Sequence, residues 1–161
     1  GWKQMSRGFS LVELMVVTLI VGLLLAIGVP GFSRYRQTLE YGRGRQQVVL
    51  DLMAARQSAI TRHVPVAVVF GTPPAVSDIR TYATHIDLDA DGVRDANEPV
   101  TNRTLPGAVR IEAAALTPVD SVRFDTSGLL APGTSGGRLI VSDASRRDTV
   151  EVSMTGMVYR R

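Results

Sequence analysis

Cysteine is absent from the 161-residue chain, so the fold cannot use disulfides and must rest on its packed core. Aromatic residues make up only 6% of the chain, which leaves the packing mainly to aliphatic side chains. The sequence also lacks zinc-ligand spacing, a P-loop and a dinucleotide-binding fingerprint. Neither His63 nor His85 stands in a recognisable catalytic context, and we therefore expect that the protein is not an enzyme.

Lysine is nearly absent, and the basic excess is small. The formal net charge of the whole chain is +3. Residues 1–8 contain Lys3 and Arg7; without them, sixteen arginines and no lysine face fifteen acidic residues, a formal charge of +1. A balance this even does not by itself indicate binding to nucleic acid.

A long apolar run without charge follows the N-terminal residues. From Leu14 to Val29 only Thr18 and two glycines interrupt the large apolar side chains and alanines. Counted from Phe9, the run has 21 residues and would rise about 32 Å as a helix, enough to cross the bilayer core. Glu13 lies near its start, and an unpaired carboxylate there would cost roughly 2–3 kcal/mol in hydrocarbon. The sequence therefore predicts a functional role for Glu13.

Residues 7–14, RGFSLVEL, followed by the apolar run up to Pro30, resemble the N-terminal signature of type IV pilins and pseudopilins. The resemblance implies that a prepilin peptidase removes a leader by cutting between Gly8 and Phe9, and that it N-methylates the new Phe9 amine. It also implies that Glu13 pairs with that amine on a neighbouring subunit, which favours one register of the packed helices. Pro30 would kink the helix where it leaves the membrane.

Two simpler interpretations of the same run are a secretory signal peptide and a plain single-pass anchor. The small-residue cleavage pattern of a signal peptide is missing, since Leu24 stands two positions before Ala26. Neither alternative requires Glu13 at the entry to the apolar region. The pilin-type helix is the interpretation that we prefer.

The apolar periodicity continues beyond the membrane-length run and predicts one helix over residues 10–61. Val48, Leu52, Ala55 and Ala59 form an apolar stripe that we expect to face a core, while Gly42 and Gly44 invite a local bend. The predicted organisation has four parts. They are a cleaved leader at 1–8, a transmembrane and filament-core helix at 9–30, its amphipathic continuation at 31–62, and a β-rich globular head at 63–161.

After residue 62 the pattern changes to short runs rich in β-formers, separated by turns. A helix followed only by strands predicts an α+β fold, with a long N-terminal helix packed against an antiparallel β-sheet head, as in type IV pilins. The predicted strands are residues 64–70, 79–86, 108–113, 121–125, 138–141, 149–154 and 157–159.

Residues 52–66, the RFDTSG stretch at 123–128 and the terminal strand closed by Gly156 are similar to GspH/FimT-type minor pseudopilins. The similarity implies a minor subunit of type II secretion or of a type IV pilus, placed at or near the filament tip. Its expected partners are other pilins, the prepilin peptidase, an inner-membrane assembly platform and membrane lipid. The implied location is the bacterial inner membrane, crossed once with the head in the periplasm, and then the filament.

Residues 87–98, DLDADGVRDANE, satisfy the template of an EF-hand calcium loop, with glycine at its sixth position. Two interpretations stay open, because strands instead of helices flank the loop and Asp-rich turns also occur without metal. One is a Ca²⁺ site, the only cofactor that the sequence suggests, and the other is a solvated turn. The template's ligand positions are filled by Asp87, Asp89, Asp91, Val93, Asp95 and Glu98.

The C-terminus raises a second function, DNA uptake in transformation. DNA-binding members of the FimT branch carry a Gly-Arg-x-Arg motif near this end, but here Met157 replaces the first arginine. Tyr159, Arg160 and Arg161 could still contact phosphates and stack on a base. A solvated basic tail is the interpretation that we favour, so DNA binding remains the minority hypothesis.

Overall fold

The computed structural model describes residues 9–71, 79–92, 94–117 and 120–160. Its first element is helix α1, Leu11–Arg62, which has 52 residues. Its bounds differ by one residue from the predicted 10–61. Gly42 and Gly44 both keep helical hydrogen bonding, so neither glycine ends the helix. Pro30 also lies inside α1.

The chain divides into two compact units, Gly1–Thr38 and Leu39–Arg161. The described part of the first unit is the N-terminal portion of α1, in which the large apolar side chains are exposed. The second unit holds the rest of α1 and all of the described strands.

The described residues of the second unit form eight strands in two antiparallel four-stranded sheets. The first sheet has the order β3-β2-β1-β5, and the second has the order β4-β6-β7-β8. An isolated bridge between Ile79 and Ile111 links the two. The strands are β1 Val66–Val69, β2 Thr81–Ile86, β3 Val100–Thr104, β4 Arg110–Thr117, β5 Ser121–Phe124, β6 Ser135–Ser142, β7 Arg147–Val152 and β8 Val158–Arg160.

The seven predicted strands are all present, and the α+β class with an antiparallel head is confirmed. The sequence missed β3, whose residues VTNRT carry one apolar side chain and are exposed from the second position onward. An edge strand of this kind has no buried face, so it lacks the alternation by which strands are recognised. The prediction of a single head sheet was also incomplete, since the strands divide between two sheets.

The core of the second unit lies between the C-terminal part of α1 and both sheets. The predicted stripe is confirmed, because Val48, Leu52, Ala55 and Ala59 are all buried. They belong to one apolar cluster with members of β1, β5, β6 and β7, and its largest fully buried side chains are Phe70 and Phe124. With no disulfide available, this cluster supplies the main apolar packing between the helix and the sheets.

Candidate functional site

The N-terminal unit presents apolar side chains that nothing within it covers. Phe9 is 78% exposed and Leu11 is 75% exposed, and the large apolar residues from there to Val29 are about half exposed or more. Helix α1 is long and apolar enough to cross a membrane, judged by its length and composition. An exposed apolar surface of this size fits contact with lipid or with other apolar helices.

Glu13 is the one carboxylate on this surface. It lies in the first turn of α1, next to Leu14, whose backbone N–H donates to the Ser10 carbonyl oxygen at 3.1 Å. Among the residues that the structure describes, no cationic side chain pairs with Glu13. Thr18 differs, since its hydroxyl donates to the carbonyl oxygens of Leu14 and Met15 in its own helix. The predicted cleavage site, the bond between Gly8 and Phe9, lies partly outside the described residues, because Gly8 is not among them.

The loop between β2 and β3 gathers part of the predicted calcium ligand set. Side-chain oxygens of Asp87, Asp89 and Asp91 all lie within 4.8 Å of one another. Asp87 is buried, and the other two aspartates are exposed. Val93 falls outside the described residues. Partial desolvation, and then the charges of the neighbouring carboxylates, raise the pKa of Asp95 above its usual range.

Both carboxylate oxygens of Glu98 have hydrogen-bond partners within the protein, so they are not free to bind a cation beside the three aspartates. Its Oε1 accepts from the Leu88 backbone N–H at 2.7 Å, and its Oε2 accepts from the Asp95 backbone N–H at 2.9 Å. The same Oε2 contacts His85 Nε2 in a buried pair. The hydrogen bond from Asp95 and the contact with His85 lower the pKa of Glu98 to about 2. Glu98 therefore stabilises the loop through hydrogen bonds to the loop backbone, a role that the EF-hand template did not indicate.

We expect Glu98 to make head stability fall in acid. Its pKa is about 2 in the folded protein against 4.5 in the unfolded chain, so its stabilising contribution is complete above pH 4.5. That contribution is lost as the pH falls from 4.5 towards 2, where the folded-state carboxylate takes up its proton. Urea unfolding of the chain in detergent micelles, followed across this window, measures the effect. The variant Glu98→Gln should show a flatter dependence, and equal slopes in both proteins would contradict the assignment.

Arg56 joins three sequence segments that are far apart in the chain. Its Nε donates to the Gly128 carbonyl oxygen at 2.8 Å. A side chain at Gly156 would meet that same carbonyl oxygen, and one at Gly128 would meet Ile60. The helix, the β5–β6 turn and the β7–β8 turn thus meet at one junction, which we call the Arg56 junction (Arg56, Gly128 and Gly156). The sequence placed all three in one family pattern without indicating that they touch.

The arginines near the C-terminus are largely engaged with protein groups. Arg147 pairs with Glu112, and Arg146 lies over the Tyr41 ring at 5.3 Å from its centroid. Arg138 Nε donates to Glu151 at 2.8 Å. Tyr159 is 45% exposed on the edge strand β8; the side chain of Arg160 and all of Arg161 lie outside the description. Among the described residues of this region, these arginine side chains are engaged with other protein groups and do not form a free basic patch around Tyr159.

Comparison with known proteins gives two family matches. Residues 45–156 match the family described as Type II transport protein GspH. Residues 3–29 match the prokaryotic N-terminal methylation motif. The first match covers more than half of the chain and includes the Arg56 junction, and the second includes Glu13.

Relatives and solved structures agree with these matches. Fimbrial protein EcpC of Eikenella corrodens is 31% identical over 61 residues, which are 38% of this chain and only 37% of that protein's length. The crystal structure of the type IV minor pilin FimU of Pseudomonas aeruginosa aligns with TM-score 0.59 at 13% identity, over 79% of this chain and 92% of that one. The minor pseudopilin EpsH of the Vibrio cholerae type 2 secretion system aligns with TM-score 0.55 at 14% identity, over 76% and 96% of the two chains. At these identities the structures support the fold alone.

Proposed function

Because the chain belongs to the GspH family and is a minor pseudopilin or pilin subunit, we propose that it works through helix-to-helix assembly at a bacterial inner membrane. Members of this family assemble with other pilins in a filament. The relatives with known structures are structural pilins and not enzymes. We propose accordingly that this chain carries no catalytic activity of its own.

The observation that carries the proposal is the uncovered apolar surface of residues 9–29 with one carboxylate in it. In the membrane, lipid covers this surface while the head lies in the periplasm. When the assembly platform extracts the subunit, apolar helices of neighbouring subunits replace the lipid. The exchange leaves the apolar burial nearly unchanged, so it is the charged groups that determine which arrangement forms.

Two charged groups are available for that purpose. Prepilin peptidase would cut between Gly8 and Phe9, and the Phe9 amine would then carry a positive charge at the filament core. A neighbour's Glu13 supplies the opposite charge, because within the described residues it has no cationic partner of its own. Burial penalises each charge alone far more than it penalises the pair, so pairing selects the register.

Type II secretion and the type IV pilus both remain as the machine that uses this subunit. EpsH comes from a secretion system, whereas FimU is a pilus component and EcpC is named as fimbrial. DNA uptake is the weaker alternative. The two described arginines that line cavities with Tyr159 are engaged within the protein, Arg138 with Glu151 and Arg56 with the Gly128 carbonyl oxygen, so few cations are left there for phosphate.

We expect the chain, purified from the membranes of a bacterium that has prepilin peptidase, to begin at N-methylated Phe9. Mass spectrometry of the intact protein and of its N-terminal peptide measures this directly. The variant Gly8→Val should keep residues 1–8, because the peptidase needs the small residue at the cut. Gly22→Val is the matched control, since a side chain at Gly22 meets nothing within 4 Å in the structure. An uncut wild-type chain would overturn the proposed processing.

A further inference from the structure

The β2–β3 loop also carries a ligand site that assembly does not require. We propose that Asp87, Asp89 and Asp91 bind one divalent cation, Ca²⁺, at the base of this loop. The proposal stands independently of the filament function. It rests on a buried oxygen that lacks a partner, on the grouping of the three carboxylates, and on a loop already folded around them.

Asp87 supplies the first observation. The residue is only 6% exposed, and its Oδ2 accepts a hydrogen bond from the Gly92 backbone N–H at 2.9 Å. Its Oδ1 is buried and has no hydrogen-bond partner. Buried polar atoms are nearly always satisfied, and leaving an ionised oxygen unsatisfied is costly. A cation or an ordered water beside this oxygen would supply the partner that it lacks.

Arg123 on β5 lines the same cavity as Asp87, but it does not donate a hydrogen bond to the buried Oδ1. Its Nη1 lies close to Gly92, but its Nε is itself buried without a hydrogen-bond partner. Asp87 and Arg123 line one cavity of about 270 Å³, together with Gly92 and Asp125. A cavity of this size has room for an ion with its waters. It also has room for a water that bridges the two unsatisfied atoms without any ion, so the experiment must separate these two cases.

The grouping of carboxylates favours the ion. One oxygen from each of Asp87, Asp89 and Asp91 lies within 4.8 Å of the others, which brings three negative charges together. Hard oxygen ligands of this kind suit Ca²⁺, which takes six to eight oxygens and accepts water among them. The three carboxylates repel one another, and a Ca²⁺ bound between them would offset that repulsion.

The backbone already holds the loop in a tight turn. Ala90 and Gly92 adopt positive φ angles of 61° and 78°. The positive φ of Gly92 favours glycine there, and a side chain at this position would have to displace the end of the Arg123 side chain, whose Nη1 would lie 2.6 Å away. Glu98 anchors the far end of the loop through its bonds to the backbone of Leu88 and Asp95. Because Glu98 is committed in this way, we expect three carboxylates and several waters around the ion instead of the full template set.

This ligand set predicts weak binding, with a dissociation constant on the order of 10⁻⁴–10⁻³ M, as in extracellular calcium modules. The test is isothermal titration of the chelator-treated chain in detergent micelles with CaCl₂, and separately with MgCl₂. We expect one Ca²⁺ per chain and weaker binding of Mg²⁺, which demands a smaller and more regular octahedral site. Thermal unfolding of the same sample should shift upward with added Ca²⁺.

The variants Asp89→Asn and Asp91→Asn should each weaken Ca²⁺ binding by about tenfold, since each removes one charged ligand. The matched control is Asp143→Asn. Asp143 lies in another turn, where its Oδ1 accepts hydrogen bonds from the backbone N–H groups of Ser145 and Arg146, and it is not part of the three-aspartate cluster. This control should bind Ca²⁺ like the wild type. Absence of binding heat at 10 mM Ca²⁺, or equal affinity in the Asp89→Asn and Asp91→Asn variants, would overturn the proposal in favour of a water-bridged turn.

Discussion

Replacing Glu13 by alanine should abolish incorporation of the subunit into its filament while leaving its insertion into the membrane intact. In the filament core the Phe9 amine of a neighbouring subunit would remain buried without its partner, and breaking a buried pair in this way costs roughly 3–5 kcal/mol. That corresponds to a loss of about a hundredfold or more in the equilibrium for assembly. Membrane insertion should not suffer, because the change removes a charge from an apolar helix.

The measurement compares how much of the subunit remains in the membrane fraction with how much is recovered in sheared filaments or in cross-linked pilin complexes. Thr18→Val is the matched control. It removes a polar group from the same exposed helix, but the Thr18 hydroxyl is already satisfied by Leu14 and Met15 and offers nothing to a neighbour. The control should assemble normally. Normal assembly of Glu13→Ala would show that the carboxylate does not select the register.

Much of the fold was predictable, because its strongest signals are local. The membrane-length run and the stripe that starts at Val48 each follow from periodicity along the chain, and both belong to the single helix α1. Most strands followed from short β-rich runs between turns. Strand β3 did not, since its polar edge position gives no alternation to detect. The division into two sheets depends on pairings between distant residues, such as β1 with β5, that no local pattern encodes.

The candidate sites show the same limit, because contacts within one short segment follow from the sequence whereas contacts between distant segments do not. The aspartates of the β2–β3 loop are close in sequence, and in the structure one side-chain oxygen from each of three of them lies within 4.8 Å of the others. Glu98 belongs to the same motif, but His85 lies on a different element, and its position beside Glu98 depends on how β2 pairs with β3. The Arg56 junction is also a tertiary feature. Family resemblance placed its members in one pattern, whereas only the folded chain shows that Arg56 donates to the carbonyl of Gly128.

The Arg56 junction leads to the largest stability effect that we expect in the head, for Gly156→Ala. Gly156 has a φ of +70°, and a side chain there would lie 2.2 Å from the Gly128 carbonyl oxygen. The left-handed conformation costs about 1–2 kcal/mol for alanine, and overpacking against fixed backbone costs about 1–3 kcal/mol more. The turn at Gly128 cannot move away freely, because the same carbonyl oxygen accepts the hydrogen bond from Arg56. We therefore expect a total loss of roughly 2–5 kcal/mol in the free energy of unfolding.

Gly133→Ala separates the two causes of that loss. Gly133 also has a positive φ, +83°, but a side chain there meets nothing within 4 Å. Its loss should be limited to the conformational cost of about 1–2 kcal/mol. Urea unfolding of both variants in detergent micelles measures the difference, which is the contribution of close packing at the junction. If the two variants lost equal stability, the contact between the β5–β6 and β7–β8 turns would not hold the head together. A larger loss for Gly156→Ala would show that the close approach of Gly156 to the Gly128 carbonyl oxygen, which Arg56 also contacts, contributes to the stability of the head.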